Sequence, residues 1–282
     1  MTTSPLPDNS AREAPPDPAA RTAPGRSTGF RWALPSIVTV ALLVVLWQVY
    51  VEASGIRPQL LPSPARVVTQ GWAHRDEIGV HAAATLQVTL VGFAVSLSLA
   101  WLLAVVVDFS PWLRRAFVPL FVASQTLPII AIAPLMIIWF GFGLLPKVLV
   151  VALVTFFPMA IGLIEGFAAA DREAGALLRS MGASRVQVFR YVRLPSAVPR
   201  FFTALRIGIT YAVVGAVFAE YVGASEGLGI YMNLQKNSFR TDLVLAAVFV
   251  TALLSIALYL LTFAIERLVA PWSRAENRSR HD

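Results

Sequence analysis

Residues 82–107 read AAATLQVTLVGFAVSLSLAWLLAVVV, a run of 26 residues without a charged side chain. A helix needs about 20 apolar residues to cross the roughly 30 Å hydrocarbon core of a bilayer. In lipid, backbone hydrogen bonds must be satisfied within a helix or a closed barrel, and a barrel strand spans only about 10 residues. The stretch therefore predicts a transmembrane helix.

Other long apolar runs lie on both sides of this stretch. One of them, near Phe202–Gly223, is interrupted by Arg206. The chain is 57% hydrophobic and 14% charged, whereas a soluble domain carries roughly a quarter charged residues. We therefore expect an all-α, polytopic membrane protein with six transmembrane helices. The remaining runs are Trp32–Val51, Ala116–Pro146, Val148–Ile164 and Leu243–Ile265.

The two ends of the chain differ from these runs. The first 30 residues contain six prolines and almost no apolar clusters, so we expect a disordered tail over residues 1–30. The next apolar run is as long as a full span, which favours a membrane helix over a cleaved secretory signal. The predicted organisation is a transmembrane domain over residues 31–270, followed by a short tail at 271–282.

The distribution of Lys and Arg predicts how the helices cross the membrane. If both termini are cytoplasmic, the inner segments hold 16 of these residues and the outer segments hold 6. Cytoplasmic loops of membrane proteins carry the excess of positive charge. We therefore expect both termini, and the polar segment at residues 168–200, on the cytoplasmic side of the cell membrane. The same bias accounts for the net charge of +7 without nucleic-acid binding.

Several kinds of chemistry have no residues to carry them. The chain has no cysteine, and His74, His81 and His281 form no metal-ligand pattern. The sequence contains no Gly-x-x-x-x-Gly-Lys-Ser/Thr phosphate loop and no Ser-His-Asp arrangement. We therefore predict no metal site, no bound cofactor and no catalytic residue. If the chain takes part in ATP-driven work, ATP must bind to another polypeptide.

The polar segment contains LLRSMGASRVQVFRYVRLP at Leu177–Pro195, where four arginines alternate with apolar residues. Gly182 is a helix stop, and Ser184 with Gln187 three residues later forms a capping box. Leu194 precedes a proline, which disfavours helix, so the second helix is expected to end there. The pattern predicts two short helices with a break. On physical grounds it fits an amphipathic segment on the inner leaflet as well as a docking element for a soluble partner.

The same segment resembles a known family. Gly182, nine residues, then Val192-x-Leu194-Pro195 is similar to the "EAA" coupling loop of binding-protein-dependent ABC-importer permeases. The resemblance extends over most of residues 33–268. It implies a type I importer permease fold and a homodimer with a second copy of the chain. It also implies cytoplasmic ATPase subunits that bind ATP and Mg, and an extracytoplasmic substrate-binding protein.

Two further stretches narrow the resemblance. QTLPIIAIAPLMIIWFGFG (Gln125–Gly143) and GASEGLGIYMNLQKNSFRTDLV (Gly223–Val244) are similar to permeases of the nitrate/sulfonate/taurine group. RSMGASR and the second stretch are most similar to permeases for thiamine-precursor pyrimidines or related heterocycles. The resemblance therefore implies import of a small organic solute.

The resemblance also implies that the ATPase contacts the loop at about residues 171–195. The family's glutamate falls on Ala176 here, and Glu173 lies three residues earlier. The polar part of the contact is thus expected to move to Glu173 or Arg179. The residues expected to form the loop are Glu173, Ala176, Leu177, Leu178, Arg179, Met181, Gly182, Ala183, Ser184, Val192, Leu194 and Pro195.

Polar and proline residues within the spans are candidates for a translocation path, because a polar group in lipid is costly unless it faces protein or water. Gln125 precedes Pro128, which loosens the helix, and Glu220 lies near the outer end of its span. The alternatives are an interhelical hydrogen bond for Gln125 and an interfacial salt bridge for Glu220.

Three glycines follow Glu220 on the expected outer side: Gly223, Gly227 and Gly229. They are expected to form a tight turn that contacts the binding protein, or else a flexible connector. Together these features predict the transmembrane permease subunit of an ATP-driven importer. The rivals are a secondary transporter, which would show an inverted repeat, and a membrane enzyme, which would need convergent titratable residues.

Overall fold

The computed structural model describes residues 28–126 and 128–269, and within these ranges it contains helices and short connections. The predicted tails lie outside the described residues, apart from residues 28–30, which belong to the first helix. The helices are α1 (Thr28–Ser54), α2 (Pro64–Ala73), α3 (Arg75–Phe109), α4 (Pro111–Ser124), α5 (Ile129–Phe140), α6 (Leu144–Ala168), α7 (Arg172–Ser180), α8 (Arg185–Val188), α9 (Leu194–Gly223), α10 (Leu228–Asn237) and α11 (Thr241–Val269), with a π-helical turn, Phe189–Arg193, between α8 and α9.

Among the described residues, five helical stretches are long and apolar enough to cross a membrane. They confirm the predicted all-α, multi-pass fold. They are Pro35–Ser54, Arg75–Phe109, Leu144–Ala168, Arg185–Gly223 and Thr241–Val269.

The remaining predicted span, Ala116–Pro146, is a pair of shorter helices instead of one long helix. α4 ends at Ser124, and α5 begins at Ile129. Pro128 lies at the break with a ψ of 115°. A proline offers no backbone N–H and disfavours helix in the residue before it, so the helix is interrupted here. At the far end of α5, Gly141 takes a φ of +75°, which turns the chain toward α6.

α1 lies mostly in a unit of its own, because the described residues divide into two units between Val49 and Tyr50. Apolar side chains in the middle of α1, such as Leu42 and Leu43, are more than half exposed. An apolar helix of this length with exposed leucines fits a surface that contacts lipid.

Within the second unit, small residues let α3, α6 and α9 pack closely. A Cβ atom added to Gly92 of α3 would lie 2.6 Å from Cβ of Val151 on α6. One added to Gly162 of α6 would lie 2.4 Å from Cβ of Ala204 on α9. Small residues at such crossings allow transmembrane backbones to approach and gain van der Waals contact. These three helices form the core on which the candidate sites are built.

The helix after the glycine break continues past Pro195, so the prediction that it ends at Leu194 is wrong. α8 passes through the π-helical turn into α9, and Pro195 occupies the first turn of α9. In the π turn the N–H of Leu194 donates to the carbonyl of Phe189, five residues back. This wider turn accommodates a proline that has no N–H and whose ring clashes with the usual helical carbonyl. The arginine-rich segment is therefore continuous with a helix long and apolar enough to span a membrane.

Candidate functional site

α7 presents one face inward and one outward. Asp171 caps its N-terminus, because Oδ1 accepts from the N–H of Glu173 at 2.8 Å and of Ala174 at 3.4 Å. Gly175 is buried, and a Cβ added there would lie 3.6 Å from Cγ1 of Val188. Leu178 and Ala183 are partly buried. The predicted loop residues that are exposed on α7 and just after it are Glu173, Ala176, Leu177, Arg179, Met181, Gly182 and Ser184.

The break after α7 is a left-handed glycine cap. Gly182 has a φ of +85°, and its N–H donates to the carbonyl of Arg179 at 3.0 Å. The N–H of Ala183 donates to the carbonyl of Leu178 at 2.9 Å. These are the two bonds of a Schellman motif, for which glycine is preferred. No atom would lie within 4 Å of a Cβ at this position, so backbone conformation and not crowding requires the glycine.

The predicted capping box at the start of α8 is present. The N–H of Ser184 donates to Oε1 of Gln187 at 2.7 Å, and the N–H of Gln187 donates to Oγ of Ser184 at 3.3 Å. The prediction of a helix, a glycine break and a capped second helix is confirmed. Both helix ends at the break are therefore held by their own hydrogen bonds, which fixes the local geometry of the segment.

Large apolar side chains protrude from this segment. Leu177 and Met181 of the α7 end are 63% and 74% exposed, and Val186 and Tyr191 are exposed to a similar degree. Exposed arginines lie among them at positions 172, 179, 185 and 190. Exposed apolar side chains with arginines around them are typical of the centre of a protein–protein interface.

The inner side of the segment is tied to the membrane helices. Nη1 of Arg193 lies 2.6 Å from Oδ2 of Asp108, at the end of α3. The ring of Phe189 lies 5.5 Å from that of Phe109 and 5.1 Å from that of Phe167, on α6. Asp108 and these aromatic partners were not predicted, since no local pattern pairs residues that are 22 to 85 positions apart. Val192 and Leu194 are partly buried on this side, whereas Pro195 is exposed.

A cavity of about 580 Å³ lies between the end of α4, α5, α6 and α9. The predicted path residue Gln125 lines it, whereas Pro128 and Glu220 do not. Nη1 of Arg200 donates to the backbone carbonyl of Glu165 at 3.1 Å, and both residues line the cavity. The polar and aromatic lining residues are Ser124, Gln125, Phe157, Glu165, Arg200, Thr203 and Tyr211.

Glu220 is fully buried in a polar cluster away from this cavity. Its Oε2 accepts a hydrogen bond from Oγ1 of Thr85 on α3 at 2.8 Å, and another from the N–H of Gly229 at 3.1 Å. Its side chain therefore joins α9 to α3 and α10. It makes neither the interfacial salt bridge weighed as an alternative nor a contact with the cavity.

Gly223, Gly227 and Gly229, which follow Glu220, are closely packed. Gly227 and Gly229 are buried, and Gly223 is partly buried with Ile137 of α5 2.7 Å from the position of its missing Cβ. The expectation that Gly227 and Gly229 touch a partner is therefore corrected: they are interior. Ser225 and Glu226 are the exposed residues of this turn.

Comparisons with known proteins agree with one another. Residues 92–275 match the family described as "Binding-protein-dependent transport system inner membrane component". A riboflavin transport system permease protein of Chloroflexus aurantiacus is 38% identical over 86% of this chain and 92% of its own length. A formylaminopyrimidine transport permease protein of Halalkalibacterium halodurans is 35% identical over 86% of this chain and 98% of its own. The taurine transport system permease protein of Escherichia coli is 31% identical over 88% and 94%, respectively.

Solved structures share the fold. An amino acid ABC transporter chain superposes with a TM-score of 0.59 at 15% identity, over 70% of this chain and 96% of its own. A chain of the methionine ABC transporter in an inward-facing conformation gives a TM-score of 0.53 at 23% identity, over 70% and 95%. Among the described residues, no group of three or more His, Cys, Asp or Glu side chains is placed to hold a metal ion.

Proposed function

Because this chain belongs to the family of binding-protein-dependent transport system inner membrane components, we propose that the cavity between α4, α5, α6 and α9 is its share of a translocation path. The chain is a permease subunit of an ABC importer, a multi-pass protein of the inner membrane, and not an enzyme. Such importers work with an ATPase and a substrate-binding protein, and we place ATP and Mg in the ATPase. We place both termini on the cytoplasmic side, because this orientation puts 16 Lys and Arg residues in the inner segments and 6 in the outer segments.

The lining of the cavity favours an uncharged aromatic heterocycle as the solute. Phe157 and Tyr211 offer rings on which a planar ligand can stack, and Gln125 offers both a donor and an acceptor. The lining holds one cationic residue, Arg200, and one acidic residue, Glu165, so it has no excess of positive charge for an anion. The riboflavin and formylaminopyrimidine relatives transport heterocycles by name. This neutral, aromatic lining is the observation that carries the substrate class.

Uptake into proteoliposomes tests this path. The permease is reconstituted with its ATPase and binding protein, and labelled riboflavin, formylaminopyrimidine, taurine and nitrate are compared. We expect a heterocycle to be taken up, and Tyr211→Leu to lower its kcat/KM about tenfold through loss of ring contact and hydrogen bonding. Tyr259→Leu, on α11 outside the cavity, is the matched control. Preferential uptake of taurine or nitrate, or equal effects of the two substitutions, would refute the assignment.

We place the ATPase contact on the exposed face of α7, with Leu177 and Met181 as the apolar centre. Glu173 is the exposed carboxylate nearest to Ala176, on the same face of the helix at i, i+3 spacing. It therefore takes over the polar contact that the family's glutamate makes. Site-directed photocrosslinking from position 177 should capture the ATPase, whereas crosslinking from position 234 on α10 should not.

We further propose that two copies of the chain assemble around the path. Val214 and Phe218 of α9 are exposed apolar residues on a helix that also lines the cavity. The chain has no native cysteine, so single-cysteine variants report cleanly. Disulfide formation between identical Val214→Cys chains in membranes would support a homodimer. Crosslinking only to a different permease chain would contradict it.

A further inference from the structure

α10 begins at a residue that has no side chain to cap it. Its N-cap position is Gly227, and the first amide groups of the helix are directed into the buried interior. An ordinary helix start satisfies such amides with a Ser, Thr, Asp or Asn side chain at the N-cap itself. The acceptors for α10 must therefore come from elsewhere in the fold.

Three side chains on two other helices supply these acceptors. The N–H of Gly227 donates to Nδ1 of His81 at 3.0 Å. The N–H of Leu228 donates to Oγ1 of Thr85 at 2.8 Å. The N–H of Gly229 donates to Oε2 of Glu220 at 3.1 Å. Three consecutive amides are thus capped by His81 and Thr85 of α3 and Glu220 of α9, and we call these three side chains the α10 cap.

The α10 cap depends on how α3 and α9 lie relative to each other. Oγ1 of Thr85 accepts from Leu228 and donates to Oε2 of Glu220 at 2.8 Å, so one hydroxyl joins all three helices. Glu220 and Thr85 are both fully buried, so bulk solvent does not reach these acceptors. A carboxylate beside a helix N-terminus is also favoured by the helix dipole.

The backbone of α10 lies too close to α9 to slide freely. A Cβ atom on Gly227 would lie 2.2 Å from Cδ of Glu220, and one on Gly229 would lie 2.2 Å from the carbonyl oxygen of Val217. The two glycines are what allows the amides to reach their acceptors. A shift of α3 against α9 would separate at least one amide from its acceptor.

We propose that His81, Thr85 and Glu220 are positioning residues that hold α10 in place only while α3 and α9 keep this register. α10 and the exposed Ser225–Glu226 turn before it then move whenever the two membrane helices shift. One consequence rests on the proposed function: the binding protein contacts this turn, so the contact differs between the states of the membrane helices. The capping itself stands on the hydrogen bonds alone.

Hydrogen–deuterium exchange of the full chain in complex with its ATPase tests the α10 cap. Exchange is read by mass spectrometry of peptides covering residues 224–231. Thr85→Val keeps the shape of the side chain and removes the hydroxyl, so the amides at 227–229 should exchange about tenfold faster or more. Thr85→Ser keeps the hydroxyl and should retain most of the protection. Thr89→Val is the matched control, because the Thr89 hydroxyl donates to the carbonyl of Thr85 within α3 at 2.7 Å. Equal exchange in Thr85→Val and Thr89→Val would overturn the proposal.

A second measurement tests the dependence on register without any substitution. The wild-type permease in complex with its ATPase is compared with and without an ATP analogue that holds the ATPase closed. We expect exchange at residues 227–229 to differ between these two states and to be faster in the one in which α3 and α9 have left the register described here. Peptides from the middle of α11 are the internal reference. Unchanged exchange at 227–229 in both states would overturn the positioning role. Neither measurement uses the solute or the binding protein, so failure of the proposed substrate class would not affect the result.

Discussion

Nη1 of Arg193 lies 2.6 Å from Oδ2 of Asp108, and this ion pair fastens the arginine-rich segment to the end of α3. The Asp108 side chain is only 6% exposed, whereas that of Arg193 is 37% exposed. Because α9 continues directly from the same segment, a displacement of α7 and α8 reaches two membrane helices at once. The pair thus joins the exposed surface that we propose contacts the ATPase to the membrane helices α3 and α9.

Breaking this joint should uncouple transport without preventing docking. Asp108→Asn or Arg193→Gln leaves one polar group without its ionic partner, at a cost of about 1–3 kcal/mol for a half-buried pair. We expect solute-stimulated ATP hydrolysis to fall about tenfold, while the ATPase still co-purifies. The double exchange Asp108→Arg with Arg193→Asp should recover part of the activity. Loss of ATPase binding in the single variants would contradict the assignment.

The exposed glycine break offers a second test. Gly182→Asp forces a side chain into a left-handed conformation, which costs about 1 kcal/mol, and adds a negative charge among exposed arginines. Arg179→Glu reverses a charge on the same surface. We expect both variants to insert into the membrane normally and to lose solute uptake, while Arg179→Lys retains most of it. Uptake at the wild-type rate, with the ATPase bound, would show that this surface does not couple.

Close helix packing predicts a compensating pair of substitutions. Gly92→Ala would place a methyl group 2.6 Å from Cβ of Val151 and should lower the free energy of unfolding by about 1–3 kcal/mol. Adding Val151→Ala should restore part of the loss. Gly79→Ala, in the same helix with nothing within 4 Å, is the control and should be neutral or raise stability by up to about 1 kcal/mol, because alanine favours helix over glycine. Thermal unfolding of the purified protein in detergent measures these three variants against the wild type. A Gly92→Ala protein as stable as wild type would contradict the packing described.

Removing one member of the charged pair between α9 and α11 should lower stability more than removing both. Arg206 of α9 donates to Glu266 of α11, and its guanidinium lies 3.8 Å from the centroid of the Phe263 ring. Glu266→Leu leaves a cation in apolar surroundings, with an expected cost of about 3 kcal/mol. The double variant Arg206→Leu with Glu266→Leu should be more stable than the single one. Membrane yield and thermal unfolding decide this, and a double variant less stable than Glu266→Leu would refute it.

Local patterns were sufficient for the segment around Gly182. A glycine in a left-handed cap and a Ser-x-x-Gln box are decided by neighbours within five residues, and both are present as predicted. Pro128 likewise breaks a helix because it has no backbone N–H. The prediction of one span over Ala116–Pro146 rested on apolar length alone and did not include that break. The predicted helix end at Leu194 is wrong because the π turn that accommodates Pro195 has no sequence signature.

The sequence by itself determined that this protein is a bundle of membrane helices with a capped, arginine-rich segment, because apolar run length and local capping are properties of adjacent residues. Only the tertiary structure decided what the polar residues do. Asp108 and Arg193 are 85 positions apart, and Thr85 and Glu220 are 135 positions apart. Their pairing follows from which helix faces meet, and in a chain of uniformly apolar helices no local pattern specifies those faces. Glu220 therefore looked like a path residue, and the packing of α3, α9 and α10 made it part of a helix cap.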